Sequence, residues 1–250
     1  MGDFNGDDRL DLATANGGGD SVSILINITV SEVTEIITFE DLEEGARLSE
    51  VLGSRGSGPI GVQGINPLLS KSINAAVVFD SACPPGGRPR DCTGEDIDLG
   101  TPNEAFGGPG IGSGGASSND TALGKVLIIA ENVEDANGDR LVDDPNDARQ
   151  GGILQLDFAA LGSVTMQSIT FVDLDDPDPA QKVELFRGGV KGTLLKTVPL
   201  PGAGNNGVSV VSLQVAGVDT VVITLTDSAA IDNISFTPES EAAGRIRPGN

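Results

Sequence analysis

Short runs of β-branched and apolar residues, each bounded by Gly, Asn, Asp or Pro, recur along the chain and limit what it can fold into. Runs of this kind are typical of β-strands that end in turns. The predicted strands span residues 21–27, 35–39, 75–80, 125–131, 152–158, 164–173, 182–186, 193–198, 208–215, 220–226 and 231–237. Because no long helical pattern alternates with these runs, the sequence predicts an all-β fold, an antiparallel β-sandwich of the jelly-roll type.

The remaining stretches indicate how the chain is organised. Residues 41–52 carry apolar side chains at a spacing of three to four, which fits either a helix or a loop. Residues 83–122 are rich in Gly, Pro, Ser and Asn, and a loop of that length is either functional or poorly ordered. We expect a short repeat fragment at 1–30, the sandwich at 31–238, and a linker at 239–250 that leads to a flanking domain of a longer chain.

Near the start of the chain, acidic and amide side chains have the spacing of a calcium-binding loop. Loop positions one, three, five and nine hold, in order, Asp3, Asn5, Asp7 and Asp11. Position seven, here Arg9, usually adds its backbone carbonyl. Calcium takes six to eight oxygen ligands at about 2.3–2.6 Å, so oxygens at this spacing can converge on one ion. The alternative is an exposed acidic turn.

The same arrangement recurs in the middle of the chain. Positions one, three, five and nine of this second loop hold Asp135, Asn137, Asp139 and Asp143, and position seven is Leu141. Two copies with one spacing are harder to attribute to chance than a single copy in so acidic a chain. Position six is Arg140, where calcium loops prefer Gly, so a calcium site and an exposed turn are equal alternatives here.

The charge balance excludes two classes of partner. The chain has 37 Asp and Glu against 15 Lys and Arg, a formal net charge of −22, so it repels nucleic acid and anionic membranes. No stretch approaches the ~20 apolar residues of a membrane-spanning helix, so no membrane insertion is expected. The acidic surplus fits divalent-cation binding or adaptation to salty water. One acidic stretch, the Asp-rich run 173–178, fits either a cation site or a solvated loop, and we prefer the solvated loop.

The residue types that are missing exclude several catalytic centres. The chain has no His, which excludes a Ser-His-Asp triad, a Cys-His pair and a His-ligated zinc or iron site. It also has no Trp and no Tyr, which argues against strong sugar binding by aromatic stacking. Paired carboxylates alone can hydrolyse glycosides, so that class of enzyme stays open as an alternative.

Cys83 and Cys92 enclose a short Pro- and Gly-rich segment that leaves no room for regular structure. Two Cys that close so short a loop favour a disulfide and an oxidising compartment, and two free thiols are the alternative. A bridge across a loop of this length would stabilise the fold by roughly 2.5–3 kcal/mol in the chain-entropy picture.

The first calcium loop and the residues after it resemble the FG-GAP/VCBS repeat. The similarity covers about 27 residues, through the loop at 3–11 and the apolar run at 21–27. In that family, the aspartate loop binds calcium between strands of a β-propeller blade, in integrin-like and bacterial surface proteins. One departure is Asp8, where the family prefers Gly. A single repeat cannot close a propeller, so the resemblance implies the edge of a blade.

The larger segment resembles the galactose-binding-like jelly roll of secreted bacterial proteins. The similarity is carried by the opening residues 37–41 and the closing residues 230–236. In related carbohydrate-binding modules, a Glu of the opening strand and an Asp of the closing strand share a buried structural calcium. Glu40 and Asp232 match those positions, so the resemblance implies a calcium site there. The alternative is an exposed carboxylate beside an Asn/Asp turn.

Together these observations predict a non-enzymatic, calcium-binding β-sandwich module of a secreted or cell-surface bacterial protein. The expected partners are an extracellular glycan or a cell-surface protein, together with the flanking domains of the longer chain. Two alternatives stay open. One is a carboxylate-based glycoside hydrolase or its accessory domain, and the other is a structural spacer that calcium makes rigid.

Overall fold

A computed structural model describes residues 1–4, 10–19, 21–25, 33–82 and 96–239. The chain divides into two compact units, Met1–Glu32 and Val33–Asn250. Cys83 and Cys92 lie outside the described residues, so their disulfide stays a prediction. None of the helices in the described ranges has the length and the apolar character that crossing a membrane requires.

The first unit contains a β-hairpin. Strand β1 (Leu12–Asn16) pairs antiparallel with β2 (Ser21–Leu25), and Leu12 lies opposite Leu25. In the turn between them Gly18 adopts φ +107°, a conformation that a residue with a side chain rarely adopts. The predicted strand at 21–27 is thus present as β2, whereas membership of the FG-GAP/VCBS family stays a prediction.

The second unit is built from two antiparallel sheets. Its strands are β3 (Glu35–Ile37), β4 (Glu50–Val51), β5 (Ile60–Ile65), β6 (Ala76–Asp80), β7 (Lys125–Ile129), β8 (Gly152–Asp157), β9 (Val164–Val172), β10 (Lys182–Arg187), β11 (Thr193–Pro199), β12 (Val208–Val218), β13 (Thr220–Leu225) and β14 (Ala230–Pro238). Sheet I has the order β11-β10-β13-β8-β5-β4, and sheet II has the order β12-β9-β14-β7-β6, with β3 also paired to β14. Short helices lie in the connections, namely α1 (Gly115–Ser118) and 3-10 turns at Ile97–Leu99, Glu104–Phe106 and Ala159–Leu161. This architecture confirms the predicted all-β antiparallel sandwich.

The main core lies between the two sheets. Sheet I contributes alternate residues such as Leu154 and Leu156, and sheet II contributes Phe171 and Phe236. Phe158 packs on Phe236 with the ring centroids 5.2 Å apart. Burying one apolar side chain of this size stabilises the fold by about 1.5–3 kcal/mol, so these rings help to hold the two sheets together.

Sheet II is buried on its outer face as well. Val77 and Phe79 of β6, with Val126 of β7, turn away from the main core into a second apolar cluster. Leu99 and Val142, from loops outside the sheet, cover that cluster. A strand that is covered on both sides shows an unbroken apolar run, as the sequences of β6 and β7 do.

Most strands lie close to their predicted positions, but β5 was missed. Gly61 and Gly64 interrupt its apolar alternation, which weakens the strand pattern in the sequence. The packing explains Gly64, because a Cβ there would lie 2.6 Å from the backbone carbonyl carbon of Ala75. Neighbouring backbone therefore approaches β5 too closely for a larger residue.

Residues 41–52 form a loop and a short strand rather than a helix. Gly45 adopts φ +80°, and the backbone at residues 45–48 hydrogen-bonds to β6. The Leu48 N–H donates to the Ala76 carbonyl at 2.9 Å, and the Leu48 side chain is buried in the main core. Pairing with a distant strand has thus overridden the local spacing.

Candidate metal centres

Asp232 lies where strand β14 changes its neighbour within sheet II. Ile231 is paired with Leu127 of β7, whereas Ile234 is paired with Ile37 of β3. The pairing of β14 with β9 also shifts register just after Asp232, and Asn233 adopts φ 47°. Such a bulge re-aims a side chain. Asp232 therefore occupies the gap between the end of β3 and the start of β7.

Glu40 reaches the same gap from the loop that follows β3. Its Oε1 accepts a hydrogen bond from the backbone N–H of Lys125, the first residue of β7, at 3.0 Å. Gly124 lies against the carboxylate of Glu40, and a Cβ at this position would collide with both carboxylate oxygens. Gly124 also adopts φ +69°, so glycine is required there for two reasons.

The electrostatics of Asp232 are those of a buried carboxylate that lacks a positive partner. Asp232 is 1% exposed, and its Oδ1 has no hydrogen-bond partner. Its Oδ2 accepts a hydrogen bond from the Asn233 side-chain amide at 2.7 Å. The pKa of Asp232 is raised from 3.8 to about 7, mainly by burial; the Asn233 backbone N–H opposes this rise, and the nearby negative charge of Glu40 adds to it.

This pair of carboxylates fits a hard divalent cation such as calcium. A buried oxygen without a partner costs free energy, and a cation would remove that cost while neutralising two negative charges. Within the described ranges, no group of three or more His, Cys, Asp or Glu side chains is arranged to hold a metal. An ion at Glu40 and Asp232 would therefore draw its other oxygens from backbone carbonyls or water.

The second predicted loop, residues 135–143, is closed by its own side chains. The carboxylate of Asp135 accepts the N–H groups of Gly138 at 2.7 Å and Arg140 at 3.0 Å. The carboxylate of Asp143 accepts the Ala136 N–H at 2.7 Å, across the full width of the loop. Arg140 adopts φ 77°, so the sharp turn that favours Gly is made here by Arg at a cost.

The middle of this loop continues the same pattern. Asn137 Oδ1 accepts the Asp139 N–H at 2.8 Å, and Asp139 Oδ1 accepts the Leu141 N–H at 2.9 Å. Asp135, Asn137 and Asp139 are exposed. The structure therefore brings the predicted residues into one compact loop at the surface, and calcium binding by that loop stays a prediction.

The first predicted loop is only partly described. Asn5, Asp7 and Arg9 lie outside the described residues. Asp11 is 1% exposed, and its Oδ2 accepts the Phe4 N–H at 2.8 Å. This hydrogen bond joins loop positions two and nine, as the bond from Ala136 to Asp143 does in the second loop. The two loops thus share a closing contact as well as a spacing.

Two residues that shape the Glu40–Asp232 site were not found by sequence reasoning. Gly124 supports Glu40, and Asn233 forms the bulge that positions Asp232. The only sequence signals are a Gly just before an apolar strand and an Asp-Asn pair inside another strand. Neither is specific, because bulges and tight turns occur at many sites without a ligand.

Comparisons with known proteins add little to this description. No protein-family model and no curated protein sequence matches the chain. A solved structure of a family 6 carbohydrate-binding module is similar over 47% of this chain and 76% of that chain, with 18% identity and a TM-score of 0.29. The strand arrangement places the protein in the class of antiparallel β-sandwiches.

Proposed function

We propose that the protein is a non-enzymatic, calcium-binding β-sandwich module of a secreted or cell-surface protein. The observation that carries the proposal is the buried Oδ1 of Asp232, which has no partner and lies near a second carboxylate, Glu40. A calcium ion at this position would be held by the loop after β3 and by β14. It would thereby join the opening and the closing strands of the second unit.

Calcium would stabilise this module by binding only to the folded state. Linkage gives about 2.7 kcal/mol when the free calcium concentration is 100 times Kd. Extracellular modules commonly bind calcium with Kd of about 10⁻⁴–10⁻³ M, so millimolar calcium is the relevant range. The module would then be markedly more stable outside a cell than in a calcium-poor compartment.

The loop 135–143 is the proposed place of contact with a partner, an extracellular glycan or a cell-surface protein. Its first three side-chain donors, Asp135, Asn137 and Asp139, are exposed. A calcium ion held at the surface keeps coordination positions that the hydroxyl or carboxylate oxygens of a partner can fill. This mode of contact would not need aromatic rings, of which the chain has only eight Phe.

A thermal unfolding series tests the metal part of the proposal. The protein is unfolded in EDTA and in calcium up to several millimolar, with magnesium as the control ion. We expect calcium to raise the melting temperature of the wild type by more than that of Asp232→Asn, which keeps the other proposed sites. The charge-matched control is Glu104→Gln, because Glu104 is an exposed acid of the 3-10 turn Glu104–Phe106. An equal calcium response in wild type and Asp232→Asn would contradict the site.

The partner is tested separately, on a glycan array and in pull-downs with cell-surface material, each with calcium and with EDTA. We expect binding that requires calcium and that weakens in Asp139→Ala. No binding in either assay would contradict the contact role and favour a structural spacer. Glycoside hydrolysis that a carboxylate substitution abolishes would contradict the non-enzymatic assignment.

A further inference from the structure

A second acidic cavity, which neither Glu40 nor Asp232 lines, lies at the end of β9 and beside the 3-10 turn Ile97–Leu99. Its volume is about 490 Å³, and its walls carry six aspartates, Asp96, Asp98, Asp147, Asp173, Asp175 and Asp227. Arg149 also lines the cavity but forms no ion pair with any described residue. With Glu131, which also lines it, seven carboxylates share the described walls of this cavity with a single guanidinium group.

The fold fixes several of these carboxylates firmly. Asp173 follows the last residue of β9, adopts φ 63°, and accepts the Asn206 N–H on its Oδ1 at 2.5 Å. The Asn206 side chain donates to the carbonyls of Asp98 at 2.6 Å and Gly100 at 2.7 Å. This one asparagine therefore holds the loop that carries Asp98 against the end of β9.

Asp147 provides an observation that is independent of the charge. It is 5% exposed, lines the cavity, and has an Oδ2 without any hydrogen-bond partner. Its backbone N–H donates to the Asp96 carboxylate at 3.1 Å, which brings a second negative group beside it. The Oδ1 of Asp175, in the same cavity, is also buried without a partner. Buried polar atoms in folded proteins are nearly always paired, so these two oxygens indicate a missing partner.

The electrostatics agree with this interpretation. Burial, and then the negative charge of Asp96, raise the pKa of Asp147 well above its usual range. Burial, and then the charge of Asp98, raise the pKa of Asp173 to about 7. Carboxylates that repel one another and are partly shielded from solvent by burial favour any species that brings positive charge.

We propose that this cavity is a calcium site, separate from Glu40 and Asp232, in which the Oδ2 of Asp147 and the Oδ1 of Asp175 face the ion. The donors on its walls are carboxylate and amide oxygens, including those of Asn146 and Gln150, which suit a hard cation. An organic cation is less well matched, because no aromatic ring lines the described walls for a cation–π contact.

The dimensions indicate that the ion keeps part of its water. A cavity of about 490 Å³ is far larger than the ~30 Å³ that one water occupies in the liquid. No three carboxylates of the described ranges already converge as ligands. The cation would therefore be bound by a few carboxylates and several waters. We expect an affinity in the weak range of extracellular sites, about 10⁻⁴–10⁻³ M.

Counting bound ions tests this site apart from the first one. The whole chain is dialysed against radioactive calcium, and ions per chain are compared for wild type, Asp147→Asn, Asp232→Asn and the double variant. We expect Asp147→Asn to bind one ion fewer than the wild type, and the double variant to bind two fewer. If Asp232→Asn alone binds as many ions as the wild type, the first site fails while this one stands.

Two results would overturn the cavity site. The first is that Asp147→Asn binds as many ions as the wild type, with the same affinity. The second is that Asp147→Asn, Asp232→Asn and the double variant each bind one ion fewer than the wild type, because both residues then belong to one site. Asp98→Asn serves as a second variant if Asp147→Asn does not fold, because Asp98 is only partly buried and should weaken the site at least tenfold. Hydrogen exchange gives a further readout, since calcium should slow the amides of residues 96–99 and 173–175 in the wild type but not in Asp147→Asn.

Discussion

Replacing Asp232 by Asn should stabilise the metal-free protein at neutral pH, although it removes a proposed calcium ligand. The substitution keeps the size of the side chain and removes a buried negative charge. Asp232 titrates at about 7 in the folded protein and at 3.8 in the unfolded chain. This difference of about three pKa units corresponds to roughly 4 kcal/mol of stability that the wild type loses on deprotonation.

The direction of the pH dependence follows from the raised pKa. Below pH 3.8 Asp232 is protonated in both states, and its stabilising effect is fully present. Between about pH 4 and pH 7 the unfolded chain releases the proton first, so the stability of the wild type falls as the pH rises. Above pH 7 the full loss has occurred. Calcium should reverse this trend, because it binds the ionised carboxylate and competes with the proton.

The assay is chemical and thermal unfolding in EDTA at pH 4.5 and pH 8. At pH 8 we expect Asp232→Asn to be more stable than the wild type by up to about 4 kcal/mol, or roughly 10 °C in melting temperature for a chain of this size. At pH 4.5 the difference should shrink to about 1 kcal/mol. The reasoning would be refuted if the variant were less stable than the wild type at pH 8, or if the difference did not change with pH.

Three further predictions test the surroundings of the sites and the core. Gly124→Ala should destabilise the protein by more than about 1 kcal/mol and weaken calcium binding. The reason is that residue 124 has φ +69° and that the added Cβ collides with the Glu40 carboxylate. Unfolding measured at increasing calcium concentrations would show both effects. Asp143→Ala removes the acceptor of the Ala136 N–H, and should lower the number of calcium ions bound per chain by one in equilibrium dialysis while lowering the melting temperature only slightly. Phe236→Ala should cost about 3–5 kcal/mol of unfolding free energy and leave the calcium affinity of the folded protein unchanged, since Phe236 is buried in the main core.

The sequence predicts the strands well because their patterns are local. In β9 and β14 apolar and β-branched residues recur between turn residues, and both strands lie within one residue of the predicted ranges at each end. Strand β5 has no such pattern, since the close approach of Ala75 requires Gly64 in its interior. For residues 41–52 the local spacing left a helix and a loop open, and pairing with β6 decides for the loop. In both stretches the outcome depends on contacts with residues that are distant in the sequence.

The candidate sites also differ in whether their residues are close together in the sequence or distant. The loop 135–143 is one continuous segment, so its spacing alone identifies the residues that the structure brings together. Glu40 and Asp232 are far apart in the sequence, and only the family resemblance paired them. Neither spacing nor resemblance assigns Asp147 to the second cavity. Its burial depends on the bridge between Asp147 and Ala130, a contact that no local pattern predicts.

The acidic composition and the architecture of sheet II are connected through the loops that cover its outer face. That cover is anchored partly by apolar residues such as Leu99 and Val142, and partly by the buried amides of Asn103, Asn119 and Asn206. The carboxylates of the second cavity lie at the edge of this cover, where they repel one another. If cations neutralise them, the outer face should be the part of the sandwich most sensitive to calcium removal. Hydrogen exchange in EDTA should then increase first in the loops over sheet II, while the main core between the sheets stays protected. A uniform increase across both sheets would instead mean that the cations act on the sandwich as a whole.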